Sequence, residues 1–245
     1  MSTRFTNVVI DAGDPVAIGR FWAAALGWEV TYEAPDELVV EPGDDAGQSP
    51  GVALVFGPVP EPKTRQNRIH LDLASRSLDD QAATVERLTG LGAKPVDIGQ
   101  RGVPWTVLAD PEGNELCVLE PREEYTGTGP LAAVVVAAAD PAALASFWVA
   151  AAGWPIRRTA DGLTALRAPS GRGPWLEFVR AAEPKQVKNR VHLDVAPWAA
   201  DDQADEVARL EELGAKHADV GQRDVTWVVL ADPEDNEFCV LSPRA

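Results

Sequence analysis

The hexapeptide Asn67-Arg68-Ile69-His70-Leu71-Asp72 returns as Asn189-Arg190-Val191-His192-Leu193-Asp194, an offset of 192 − 70 = 122 in a chain of 245 residues. The chain is therefore two copies of one unit, and whatever one half folds into, the other must as well. Within each hexapeptide polar and apolar residues alternate with period two, the pattern of a strand with a single packed face. Arg68, His70 and Asp72 then project to one side, and Ile69, Leu71 and Leu73 to the other. Two of the three histidines, His70 and His192, occupy this one repeated position. The strand thus separates a core from a candidate site.

Each half also contains one order of elements twice. Asp14-Pro15 reads as an N-cap with a first-turn proline, followed by Ile18, Phe21, Trp22, Ala25 and Leu26 at helical spacing and a stop at Gly27. Short β-rich runs follow at 28–32, 38–41 and 52–56. The strand 68–74 begins the order again, and Ser77-Leu78-Asp79-Asp80 is a capping-box-like helix start. Ala82, Val85, Leu88 and Leu91 form its apolar stripe, ending at Gly92. Strands are expected around 94–98, 103–109 and 115–119, with Asp110-Pro111-Glu112-Gly113-Asn114 turning between the last two.

The expected fold class is α+β, built from four strand-helix-three-strand modules. Residues 1–122 hold the first two modules, 123–130 read as a linker by composition, and 131–245 hold the other two. In the second copy Asp140-Pro141 caps a helix with Leu144, Phe147 and Trp148 that stops at Gly153. There the offset is 148 − 22 = 126, so the first copy carries four extra residues, placed in the loop from Gly43 to Pro50.

A formal charge of −16 opposes binding to phosphate backbones and anionic membrane surfaces within a Debye length of about 8 Å. The expected partner is a small-molecule ligand, with no nucleic acid and no membrane. The chain itself is expected to be a monomer with pseudo-dimeric domains, or a homodimer. No long apolar run follows Met1, which makes the cytoplasm the expected location. Cys117 and Cys239 are again 122 apart, one position in two copies, and are expected to be reduced. The sequence has no Walker loop, no Gly-x-Ser-x-Gly and no Cys-x-x-Cys.

Two stretches carry a family likeness: Phe21 to Trp28 (FWAAALGW) and Ala109 to Pro121 (ADPEGNELCVLEP). Their counterparts are Phe147-Trp148 to Gly153-Trp154 and Ala231-Asp232-Pro233 to Pro243. With the module order, they resemble the vicinal oxygen chelate superfamily, the glyoxalase, bleomycin-resistance and extradiol-dioxygenase group. The resemblance implies modules paired into two curled-sheet cups in tandem, helices outside and ligand inside, with His70 and Asp72 in a cup. It further implies site positions on the first and last strand of each module. Carried over, these are Asn7, His70, Cys117 and a position near Leu54 in one cup. In the other they are Ala133, a position near Leu176, His192 and Cys239, with Glu177 one residue off and facing away. One good hard-metal ligand per cup is too few, so no metal ligands and no cofactor are assigned. A divalent metal is the alternative, with His70, Asp72 and Cys117 suitable for zinc in ligand type.

His70 and Asp72 read either as a polar pair fixing strand register or as an acid-base pair, because a neighbouring carboxylate favours imidazolium. Positions i and i+2 lie about 6.6 Å apart at about 3.3 Å per residue, so contact requires a leaning imidazole or a bridging water. Cys117 and Cys239 read as small apolar fillers rather than nucleophiles. Trp105 and Trp227 either pack under a helix or line the cups. His217 reads as a surface residue. The candidate ligand-binding set is Asn7, His70, Asp72, Trp105, Cys117, His192, Asp194, Trp227 and Cys239. The expected function is sequestration of a small organic molecule, cationic or aromatic given the acidic balance and the tryptophans, as in the drug-binding branch. The alternative is a lyase, isomerase or dioxygenase-like enzyme using His70 and Asp72 or an altered metal site.

Overall fold

The computed structural model describes residues 3–43, 51–181 and 183–244. The first module is β1 (Thr3–Ala12), α1 (Pro15–Leu26), β2 (Glu29–Ala34), β3 (Glu37–Glu41) and β4 (Ala53–Pro58). The second is β5 (Ile69–Leu73), α2 (Leu78–Gly90), β6 (Lys94–Pro95), β7 (Thr106–Ala109) and β8 (Glu115–Val118). The third is β9 (Leu131–Ala138), α3 (Pro141–Ala152), β10 (Ile156–Ala160), β11 (Leu163–Arg167) and β12 (Trp175–Arg180). The fourth is β13 (Val191–Pro197), α4 (Gln203–Glu212), β14 (Lys216–His217), β15 (Val228–Ala231) and β16 (Glu237–Val240). The order of strand, helix and three strands thus recurs four times, as the sequence repeat requires. Apart from Gly43, the loop assigned the four extra residues lies outside the described residues.

The helix boundaries follow their local chemistry. The Asp14 carboxylate accepts from the Ala17 amide, and Gly27 closes α1 at φ 65°, in the left-handed region a side chain disfavours. Asp140 and Gly153 repeat both devices on α3. Glu112 adds a second cap, accepting from the amides of Gly13 and Asp14, and Glu234 does the same for Ala139 and Asp140.

Among the described residues there are two eight-stranded sheets, and each takes one module from each half. The first runs β14-β15-β16-β13-β1-β4-β3-β2, and the second β10-β11-β12-β9-β5-β8-β7-β6. This corrects the expectation that each half closes its own cup: the first module shares a sheet with the fourth, and the second with the third. Two antiparallel seams make the joins, β1 with β13 and β5 with β9. The connector after β8 delivers β9 directly to the free edge of β5, which leaves the first and fourth modules to complete each other.

The convex faces of both sheets pack with α1 and α3 into one apolar cluster. Ile69, Leu71 and Leu73 lie in it, buried as the alternation requires, and so do Trp22 and Trp148. Phe5 stacks edge-on against Trp154 across the halves at 5.2 Å. The arginine of each hexapeptide is a cross-tie between the halves. Arg190 donates to the Asp11 carbonyl at 2.8 Å and approaches Glu112 at 3.3 Å, while Arg68 donates to the Ala137 carbonyl at 2.6 Å and approaches Glu234 at 3.4 Å. Lys63 and Lys185 bond Glu115 and Glu237 at 2.6 Å each. These cations are paired with carboxylates and carbonyls of the fold. Among the described residues, no helix is long and apolar enough to cross a membrane.

Candidate functional site

Opposite the packed face, each sheet presents the polar residues of its hexapeptide. His70 Nε2 lies 3.2 Å from Asp72 Oδ1, and His192 Nε2 lies 3.5 Å from Asp194 Oδ1. The imidazoles lean along their strands and close the i to i+2 gap without a bridging water. Neither ring is sealed: the side chains retain 25% and 13% exposure. Burial works against the charge on His70, but the Asp72 carboxylate, with Glu115 and Glu177 further away, raises its pKa above the usual value.

Parallel pairing sets Cys117 beside Asp72 and Cys239 beside Asp194. Both thiols are buried, and burial together with the adjacent carboxylate pushes their pKa far up. This agrees with neutral filler side chains and opposes a nucleophilic role. Trp105 and Trp227 pack against the concave clusters rather than under helices, and each indole donates to a glutamine, Gln100 or Gln222, at 2.8 Å.

The exchange of modules redistributes the carried-over set. Asn7, grouped by the family pattern with His70, instead donates from Nδ2 to Asp194 Oδ2 at 3.3 Å, in the cup of the first and fourth modules. Ala133 lies opposite Asp72 in the cup of the second and third. Leu54 and Leu176 are both fully buried in the core, and their neighbours Val55 and Glu177 take the concave positions. Glu177 therefore does not face away. Ala133 is level with Trp175 on β12, so position 176 must point to the other side and position 177 returns to the cup.

Sequence reasoning missed the cluster around Glu177. This carboxyl is 3% exposed, accepts from Arg158 Nη2 at 2.7 Å and from the Tyr125 hydroxyl at 3.2 Å. Burial, against the opposing pull of Arg158, raises its pKa to about 7. Tyr125 comes from the stretch read as a linker, where Glu123–Tyr125 forms a 3-10 turn. The one available signal was an aromatic residue inside an otherwise linker-like composition.

The two cups consequently differ. Val55 stands where the other cup has Glu177, Tyr32 where it has Arg158, and Ala53 where it has Trp175. In the cup of the first and fourth modules Asn7, Val9, Val39, Val55, Trp227 and Val229 are partly exposed, and Tyr32 is exposed. It is an open, largely apolar surface with a polar floor. In the other cup the corresponding Ala133, Val135, Ala165 and Glu177 are buried.

Each cup brings three metal-ligating side chains together: His70, Asp72 and Cys117 in one, and His192, Asp194 and Cys239 in the other, with donor atoms within 4.8 Å of each other. Among the described residues Asp72 Oδ1 and Asp194 Oδ1 are buried and make no hydrogen bond beyond the imidazole contacts at 3.2 and 3.5 Å, which leaves each able to take a cation. Nitrogen, oxygen and sulfur donors with a fourth position open suit a zinc-type ion, so the donor sets fit one. Such an ion would act there as a Lewis acid on a bound oxygen. Sequence reasoning offered the first of these sets as the alternative to a metal-free cup, having counted one good hard-metal ligand in each.

The family model for the glyoxalase-like domain matches residues 7–119 and again 133–241. In structure the chain is similar to glyoxalase I from Zea mays, with a TM-score of 0.65 and 15% identity over 98% of this chain and 92% of that one. It is also similar to a putative dioxygenase from Bacillus subtilis, with a TM-score of 0.64 and 15% identity over 99% of this chain and 86% of that one. At such identities the likeness is one of fold. No curated protein matches the chain in sequence.

Proposed function

Since the chain belongs to the glyoxalase-like domain family, carrying the domain twice, we propose that it binds a small organic molecule with an aromatic or aliphatic body and a cationic or proton-donating group. The cup of the first and fourth modules is the binding site. One observation carries this reading. Among the described residues Asp194 Oδ1 is buried, makes no hydrogen bond beyond the 3.5 Å contact with His192 Nε2, and lies at the floor of a surface walled by Val9, Val39, Val55 and Trp227. A buried carboxylate oxygen with only that long contact is costly, and a ligand N–H or cation relieves the cost. Tyr32 and Trp227 offer faces on which an aromatic ring or a cation can stack. The protein then works as a sequestering protein, and its acidic charge favours cationic ligands by long-range attraction.

Titration with a panel of cationic aromatic compounds, read by tryptophan fluorescence, tests this. Quenching should be saturable, should shrink in Trp227→Phe and should weaken at least tenfold in Asp194→Asn. A flat response across the panel, or equal affinity in Asp194→Asn, would overturn the reading.

A second reading, a lyase or isomerase, is favoured by the His70 and Asp72 contact at 3.2 Å with its raised imidazole pKa. A protonated His70 within reach of a ligand oxygen is a general acid. Turnover lost in His70→Asn with binding retained would support it, and equal turnover would reject it.

A further inference from the structure

The connector between the halves does more than join them. Its 3-10 turn inserts Tyr125 into the cup of the second and third modules, where the ring is 6% exposed among Cys117, Leu119, Val135 and Trp175. Its hydroxyl reaches Glu177 at 3.2 Å. The preceding residue supplies a carboxylate: Glu124 Oε1 accepts from Arg158 Nη1 at 2.9 Å, and the Glu124 carbonyl accepts from Trp175 Nε1 at 3.0 Å. The groups they meet are peculiar to this cup, since the other has Tyr32, Ala53 and Val55 in place of Arg158, Trp175 and Glu177.

The cup also holds more cationic capacity than the connector uses. Arg167, on the concave face of β11 beside Trp175, has its guanidinium 4.9 Å from that ring, and its Nε and Nη2 are buried without an acceptor among the described residues. Among the described residues Arg167 makes only a long contact, Nη1 to the Glu124 carbonyl at 3.5 Å. Gly127 and Gly129, at φ 79° and 77°, turn the chain directly after the inserted pair. On its other side the connector borders a cavity of about 880 Å³ lined by Arg76, Asp80, Thr84 and Arg87 of the neighbouring segment and α2.

We propose that Glu124 and Tyr125 are a resident stand-in for a ligand, and that this cup binds small aromatic carboxylates when the connector withdraws. A ligand carboxylate would replace that of Glu124 on Arg158 and gain Arg167, and its ring would take the place of Tyr125 against Trp175. The exchange swaps one carboxylate for another, so the local charge balance is kept, and the acidic protein admits an anion here without new desolvated charge. The site lies in the other cup from the one assigned above and does not rest on that assignment.

The test uses 4-hydroxybenzoate as probe, with p-cresol as the same ring lacking the carboxylate, titrated calorimetrically into the full chain. Glu124→Gln, and Glu124→Gln with Tyr125→Ala, should bind 4-hydroxybenzoate at least tenfold more tightly than the unaltered chain. p-Cresol should gain less than half of that factor. Adding Arg158→Gln should abolish the gain. In the unaltered chain, saturating 4-hydroxybenzoate should speed hydrogen exchange of the amides at 123–129 and leave β12 unchanged. Glu124 is partly exposed, so the single variant keeps the test available if the double variant unfolds. Equal affinity in a folded Glu124→Gln chain, or unchanged exchange at 123–129 under saturation, would overturn the proposal.

Discussion

Trp22 Nε1 donates to Asp110 Oδ2 at 3.1 Å, and Trp148 Nε1 repeats the bond to Asp232 Oδ2 at the same distance. The two motifs that carried the family likeness, Phe-Trp on a helix and Ala-Asp-Pro at a turn, are therefore the two ends of one buried contact. It pins α1 of the first module to the last hairpin of the second. Asp110 also accepts from the amides of Glu112 and Asn114 and from the Asn114 side chain, which offsets the burial that raises its pKa. Trp22→Phe should cost about 2 kcal/mol, because it leaves a buried carboxylate short of one donor. Asp110→Ala should cost about 3 kcal/mol or more, since several donors lose their acceptor. Urea unfolding measures both, and effects below about 0.5 kcal/mol would contradict this account.

The shared sheets make a prediction about the halves. Residues 1–122 alone would expose β1 and β5 as unpaired edges, because their partners β13 and β9 lie in the second half. Expressed by itself, this half should be unfolded as a monomer, or associate in pairs that rebuild β1 and β5 seams. Light scattering with circular dichroism distinguishes the outcomes, and a stable folded monomer would refute the dependence.

Glu177 gives the stability a pH signature. Its pKa rises from 4.5 to about 7 on folding, so its contribution is fully present below pH 4.5 and is lost as pH climbs through 7. At 1.36 kcal/mol per unit this is a decline of about 3 kcal/mol, an upper figure given the Arg158 partner. Glu177→Gln should remove that portion of the decline between pH 5 and pH 8. Parallel profiles for the two chains, measured by denaturant unfolding, would reject it.

The buried thiols should behave as the electrostatics dictate. With the Cys117 and Cys239 pKa pushed up by burial and by Asp72 or Asp194, alkylation at pH 8 should be far slower than for a free thiol and become fast only on unfolding. Cobalt offered to the reduced protein should give thiolate charge-transfer absorption, since the donor sets fit such an ion. Cys117→Ser with Cys239→Ser should remove that absorption. Rapid alkylation of the folded chain would contradict the first expectation, and absorption surviving both serines would contradict the second.

The sequence by itself determined the local order and the sidedness: four modules, their caps, and His70 and Asp72 on the concave face opposite Ile69 and Leu71. Those features follow from period-two alternation, helical spacing and single-residue backbone preferences, all of which act over a few neighbours. Tertiary structure decided which modules share a sheet, and with that the move of Asn7 to Asp194 and the return of Glu177 to the cup. It also decided that a linker-like stretch fills one cup with Tyr125. The physical reason is that strand edges offer the same N–H and C=O groups to any partner, so the choice among edges depends on chain connectivity and packing across the whole molecule. A repeat makes that choice still less legible, because each module carries the same pairing code as its copy.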